Sequence, residues 1–181
     1  MKIQPGTTAP RFKRADIFGT CIDLYDREGG MTLLSFFRNA ACAICNLRVH
    51  QLIERYATYQ QRGLRIIAVF ESPQERILQS VAKQNAPFPI IADPKAELYD
   101  LYGVESSPSK VAATMTMAET PEIIQQAAAH GFVLTPEDGS NFDRMPADFL
   151  LTYDLRVIAA HYADYVMDHM PLARIEQELW G

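Results

Sequence analysis

The stretch LLSFFRNAACAICNLRVHQL, residues 33–52, changes its hydrophobic period in mid-course. Leu33, Leu34, Phe36 and Phe37 form a nearly continuous apolar run, the pattern of a central strand buried on both faces. From Cys45 onward the apolar residues Cys45, Val49, Leu52, Ile53 and Tyr56 fall at i, i+4, i+7, i+8 and i+11, which is one face of a helix. Between strand and helix lies a C-x-x-C pair, Cys42 and Cys45. Helical phase puts Cys45 on the inward stripe and Cys42 at or just before the first turn. Cys45 is therefore expected to be buried and Cys42 exposed.

The flanking segments extend this strand–helix unit. Residues near Phe12–Ile17 and Thr20–Tyr25 read as a hairpin around Phe18-Gly19. Gly63 is placed to end the helix, and LRIIAVF (64–70) reads as a second buried strand. Pro73 opens a second helix, FPIIAD is a short extended piece, and Pro94 opens a third helix that stops at Gly103. Residues 104–145 are less regular, with helix starts at Ser107-Pro108 and Thr120-Pro121 and a stop at His130-Gly131. ADFLLTYD and RVIAAHYA read as two antiparallel strands, and MPLARIEQELWG as a last helix. This order predicts an α/β fold with a central mixed β-sheet flanked by helices. At 181 residues and 48% hydrophobic content, one domain spanning 1–181 is expected.

Charge and termini exclude several classes. A net charge of −5, from 17 basic and 22 acidic side chains, gives no electrostatic footprint for nucleic acid. No apolar run reaches membrane-spanning length, and the opening MKIQPG lacks a signal-peptide core. The expected location is the cytoplasm, where thiols are kept reduced and a cysteine pair is more often catalytic or metal-binding than a permanent crosslink.

Three chemistries compete for the C-x-x-C. Zinc needs two further ligands, and with no second C-x-x-C and His50 off the Cys45 face, zinc is disfavoured. Two inert core cysteines are the bland alternative. Thiol–disulfide exchange needs an accessible thiolate and a second thiol one turn away. A helix N-terminus offers free N–H groups and the positive dipole end, both of which favour a thiolate at Cys42. Arg38, four residues earlier, adds positive charge. Cys21, the third cysteine, sits in the hairpin and is expected to be a small buried hydrophobe.

Four stretches together resemble the AhpC/TSA or peroxiredoxin-like branch of the thioredoxin fold: PGTTAPRFKRADIFGTCIDL, LLSFFRNAACAICNLRVHQL, IIAVFESP with PFPIIADPKAELYDLYGVESS, and MPADFLLTYDLRVIAAHYA. They leave residues of about 106–144 as an insert, whose open readings are a lid over Cys42, a contact surface or a neutral elaboration. The resemblance implies a thioredoxin-like fold with an N-terminal hairpin and a helical insert before the strand that follows Pro146. It also implies a thiol-dependent redox activity.

The family's peroxidases carry P-x-x-x-[T/S]-x-x-C. Aligned without gaps, Cys45 takes the peroxidatic place, Cys42 the hydroxyl place and Arg38 the proline place. With Cys42 peroxidatic instead, Asn39 and Ser35 fill the other two places. Pro146 stands where the activating arginine is usual, and Arg144 lies two residues earlier as its substitute. In dithiol oxidoreductases a cis-proline faces the C-x-x-C, so Met145–Pro146 is expected to be cis and to align substrate.

The preferred reading is a dithiol–disulfide oxidoreductase, with Cys42 as nucleophile, Cys45 as resolving thiol and Pro146 as the aligning residue. The alternatives are a thiol peroxidase with Cys45 peroxidatic and Cys42 resolving, and a non-catalytic binding module. No nucleotide, flavin or metal cofactor is expected. The implied partners are an external thiol reductant of thioredoxin or glutathione type and a disulfide or peroxide substrate, with no nucleic acid and no membrane. Glu71 is a candidate proton shuttle for Cys45, or else a solvated or capping residue. His50, His161 and His169 are read as surface or capping residues. Tyr102, Tyr153 and Tyr165 are read as packing residues.

Overall fold

The computed structural model describes residues 1–25, 30–135 and 138–181. Strands β1 (Lys13–Ala15) and β2 (Cys21–Asp23) form the N-terminal hairpin. Asp16 holds its turn by accepting the N–H groups of Phe18 and Thr20. The main sheet contains β3 (Met31–Phe36), β4 (Leu64–Phe70), β5 (Ile90–Ala92), β6 (Ala147–Leu151) and β7 (Val157–Tyr162) in the spatial order β5-β4-β3-β6-β7. The β5-β4-β3 pairs are parallel, and β3-β6 and β6-β7 are antiparallel. The sheet is therefore mixed, as expected from the sequence.

β3 is central, and its period-2 alternation divides the core. Leu33 and Phe37 join Ile66, Ala68 and Leu150 on one face, where α1 (Ala43–Gln61) packs through Cys45, Val49, Leu52 and Tyr59. Leu34 and Phe36 join Ile67, Val69, Phe149 and Leu151 on the other, covered by α3 (Glu97–Tyr102) through Leu98, Tyr99 and Tyr102. Burying each large side chain of this kind contributes roughly 1.5–3 kcal/mol before entropy is counted. Gly63 at φ 77° carries the chain out of α1 into β4, a conformation that costs other residues strain.

The remaining helices are α2 (Gln74–Gln79), α4 (Pro108–Met115), α5 (Thr120–Ala129) and α6 (Leu172–Trp180). α4 and α5 are the helices expected in the insert, and Ser107 caps α4 at the Lys110 N–H. α3 begins three residues later than Pro94 suggested, after Ala96 in a left-handed conformation. Among the described residues no helix is long and apolar enough to cross a membrane.

Several local expectations are overturned. Cys21 is exposed, because the two-stranded hairpin leaves that edge position in solvent. His169 is buried rather than superficial: its Nδ1 lies 3.0 Å from Asp148 Oδ2. Tyr102 packs in the core as read, whereas Tyr153 is largely exposed beside the β6–β7 turn. Met145–Pro146 is trans, since no cis peptide occurs among the described residues. The segment is instead held extended by the Met145 N–H, which donates to the Glu105 carbonyl, and by the Ser106–Arg144 bridge.

Asp148 organises the polar part of the α1 face. It opposes Ser35 across β3 and β6 and accepts the Ser35 hydroxyl. It also accepts the Met170 N–H at 2.7 Å, while Arg48 of α1 reaches the Met170 carbonyl at 2.6 Å. Burial opposes its charge, but His169, Arg48 and Ser35 together hold its carboxyl below the usual range. Asp148→Ala strands these donors in the core and is expected to cost about 3 kcal/mol or more in urea unfolding. Asp23→Ala, which breaks the exposed Arg11 pair, is expected to leave the midpoint within error of wild type.

Candidate active site

The site lies where β3 hands the chain to α1. The Phe37 N–H continues the β3–β4 ladder by donating to the Val69 carbonyl, and the Tyr99 hydroxyl donates to the carbonyls of Phe37 and Val69. The loop 38–42 is fixed from three sides. The Glu71 N–H donates to the Arg38 carbonyl, the Ser72 hydroxyl accepts the Ala40 N–H, and the Asn46 side chain donates to the carbonyls of Ala40 and Cys42. Cys42 thus enters α1 with little freedom.

Cys42 is the N-cap of α1. Its Sγ does the work that a serine or aspartate oxygen does at other helix starts, accepting the Cys45 N–H at 3.3 Å. Arg38 Nη1 donates to the same sulfur at 3.5 Å. Arg38 is held by the Arg144 carbonyl, 2.9 Å from Nε, and by the Phe142 carbonyl at Nη2. Both carbonyls are neutral, so neither cancels the positive charge beside Cys42.

These contacts separate the two thiols. The hydrogen bond from the Cys45 thiol, the Arg38 charge and the Cys45 N–H outweigh burial and lower the Cys42 pKa from 9.0 to about 6. Burial pushes the Cys45 thiol up, and its hydrogen bond to the negative Cys42 sulfur pushes it further. At neutral pH the arrangement is a thiolate at Cys42 and a protonated thiol at Cys45, one helical turn apart. Thiol–disulfide exchange calls for such a pair, an ionisable thiol with a protonated one a turn away.

The expected exposure of Cys42 is corrected: it is only 3% exposed. Cys42 lines a cavity of about 290 Å³ walled largely by α4, α5, residues 132–134 and Phe142 of the insert. Arg38, read from the sequence as added positive charge near Cys42, lies 3.5 Å from its sulfur and lines the same cavity. Arg144 does not take the activating arginine's place. Its guanidinium is bound by Glu71 (Nε–Oε2 2.5 Å) and by the Val104 carbonyl, and lies 4.7 Å from the Tyr99 ring. It reaches the site through its backbone, which positions Arg38. Glu71 is correspondingly neither solvated nor a cap, since Arg144 and Asn141 occupy its carboxylate. Pro146 does not border the cavity, and its carbonyl accepts the Ala163 N–H. No group of three or more His, Cys, Asp or Glu side chains suited to a metal occurs among the described residues.

Sequence reasoning missed Phe142, Phe132, Val133 and Leu134 at the site. The apolar triplet FVL between His130-Gly131 and a turn-rich stretch was the available signal, but local pattern alone does not say that such a triplet folds back over α1.

Solved structures share this architecture. Peroxidoxin BcpB from Mycobacterium tuberculosis aligns over 98% of this chain and 94% of its own, with TM-score 0.67 and 14% identity. The thioredoxin domain of a thiol-disulfide oxidoreductase from Bacteroides vulgatus aligns over 98% and 99%, with TM-score 0.59 and 14% identity. At such identities the likeness establishes the thioredoxin-like fold. Among curated proteins, thiol-disulfide oxidoreductase ResA from Halalkalibacterium halodurans is 28% identical over 121 residues, 66% of either chain. The match therefore spans just under two-thirds of that relative's length. The AhpC/TSA family model matches residues 5–128, which include the hairpin, the C-x-x-C loop and the β3–α1–β4 unit, and the chain belongs to that family.

Proposed function

We propose that this protein is a dithiol–disulfide oxidoreductase in which Cys42 attacks and Cys45 resolves. The observation that carries the reading is the N-cap sulfur of Cys42, bonded by the Cys45 N–H and by Arg38, with a protonated thiol one turn away. The Cys42 thiolate attacks one sulfur of a substrate disulfide and expels the other as a thiolate. Once Cys42 is in the mixed disulfide its negative charge is gone, and so is one cause of the raised Cys45 pKa. Cys45 then loses its proton more readily, attacks Cys42 Sγ and releases the second substrate thiol. Two electrons leave the protein, and an external thiol of thioredoxin or glutathione type returns them.

Arg38 is the positioning and activating residue, and Arg144 supports it through its carbonyl. Pro146 precedes β6, outside the cavity lining, and is not assigned to substrate. The same geometry weighs against Cys45 as a peroxidatic residue. Cys45 is fully buried with its thiol pKa raised, so it is not the thiolate a peroxide would meet. The ResA relative bears a name that agrees with exchange.

Two outcomes are expected. Mild oxidation of the reduced protein removes two hydrogens, and peptide mapping places the bond at Cys42–Cys45 and not at Cys21. With a disulfide substrate, Cys45→Ser accumulates a mixed disulfide on Cys42, and Cys42→Ser accumulates none. Rapid sulfenic acid on Cys45 of Cys42→Ser after hydrogen peroxide, without a mixed disulfide on Cys42 of Cys45→Ser, would replace exchange by the peroxidase reading.

A further inference from the structure

The insert places an apolar cavity beside Cys42. Apart from Arg38, Cys42 and Thr114, every residue around it is apolar. The Thr114 hydroxyl is committed elsewhere, donating to the Lys110 carbonyl and accepting the Val166 N–H. Met115, Ile124, Val133 and Leu134 border the opening with exposed apolar side chains, and Phe132 and Phe142 lie deeper.

The wall is braced. α5 packs Ala127 and Ile123 against Ala43 and Leu47 of α1. The His50 ring of α1 lies 4.4 Å from the His130 ring and 5.9 Å from that of Phe132, which fastens the end of α5. The Thr135 N–H reaches the Ala41 carbonyl.

The same segment is poorly suited to an extended peptide. Peptide recognition at a strand edge uses free backbone donors and acceptors. Along residues 142–146, the segment leading into β6, several of these are already engaged. The carbonyls of Phe142 and Arg144 accept from Arg38, the Met145 N–H donates to Glu105, and the Pro146 carbonyl accepts from Ala163. At about 290 Å³ the cavity also falls at the small end of ligand pockets, roughly 300–1,000 Å³.

We propose that the cavity over Cys42 is the substrate site and that it selects small disulfides with apolar, aliphatic arms over charged peptide disulfides and protein disulfides. This deepens the exchange reading and rests on it. The apolar arm lies among Val111, Ile124, Phe132 and Leu134, and the S–S bond faces Cys42 Sγ. Cys42 Sγ bonds to one substrate sulfur as the R–S–S–R bond breaks. Cys45 then closes the Cys42–Cys45 bond. One R–S–S–R and the two protein thiols give two R–SH and one protein disulfide, with two electrons and two protons passing to the substrate.

The test uses the whole reduced chain. Rates are measured with dibutyl disulfide, bis(2-hydroxyethyl) disulfide, oxidised glutathione and scrambled ribonuclease, each divided by its rate with dithiothreitol. A second readout needs no turnover: protection of Cys42 from iodoacetamide by dibutyl sulfide, which has no S–S bond to break. The corrected rate for dibutyl disulfide should exceed that for the hydroxyethyl compound by about tenfold, the scale for one or two buried methylenes. Dibutyl sulfide should protect Cys42. Ile124→Asp and Leu134→Ser, at exposed positions, should each shrink the rate ratio and weaken protection, with unchanged circular dichroism. Equal corrected rates for all disulfides, or fastest reaction with the protein disulfide, together with no protection by dibutyl sulfide, would overturn the cavity assignment and leave exchange standing. Failure of every disulfide to react, with protection by dibutyl sulfide retained, would overturn exchange and with it the proposed substrate class.

Discussion

The organisation of this protein turns on one contact, the sulfur of Cys42 taking the N-cap position of α1. A helix start leaves N–H groups without partners, and here a side chain that can ionise supplies the acceptor. The sulfur that satisfies the helix end is also the one whose pKa is lowered, to about 6. It also fixes Cys45 one turn on, where burial on the sheet side keeps its proton in place. The unequal thiols follow from where strand β3 stops and helix α1 begins.

Around that contact the molecule spends its buried polar groups on holding the loop 38–42. Ser72, Asn46 and the carbonyls of Phe142 and Arg144 each bind part of the loop or of Arg38, and Tyr99 binds the Phe37 carbonyl just before it. The Arg144–Glu71 pair, almost wholly buried, locks the far side of the same segment. Glu71 leaves the end of β4 and Arg144 precedes β6, so the pair ties together the chain on either side of β3, the strand that delivers the cysteines. The contacts that hold this segment therefore also keep the Arg38 charge beside Cys42.

Most of the fold was legible in the sequence because it is written in period. The runs at 33–37 and 64–70 are buried strands, and the Cys45–Val49–Leu52 stripe faces the sheet as the spacing required. The N-cap place of Cys42 followed from the same phase, and Arg38 from its distance of one loop. What local pattern does not carry is long-range cover. Cys42 is exposed if only α1 is considered, and is buried where α4, α5, residues 132–134 and Phe142 surround it. Arg144 and Glu71 are 73 residues apart, and neither neighbourhood signals the pair. The hairpin position of Cys21 suggested burial from residue type, but only two strands form there and nothing covers its side chain. The proline before β6 invited a cis bond by analogy, whereas pairing of residues 105–106 with 144–145 accommodates an extended trans chain.

The Cys45 thiol, the Arg38 charge and the N–H at the helix start together lower the Cys42 pKa to about 6, while burial raises that of Cys45. Ionisation of a thiol raises both its ultraviolet absorbance and its rate of alkylation, so both rise with pH through the pKa of the attacking group. In the reduced protein, alkylation mapped to Cys42 should rise with pH around a midpoint of about 6, with Cys45 silent through the neutral range. Arg38→Met removes a positive charge from the sulfur and should move the midpoint upward, since each pKa unit reflects about 1.4 kcal/mol of differential interaction. A Cys42 midpoint at the free-cysteine value of about 8.5, unmoved by Arg38→Met, would contradict the account.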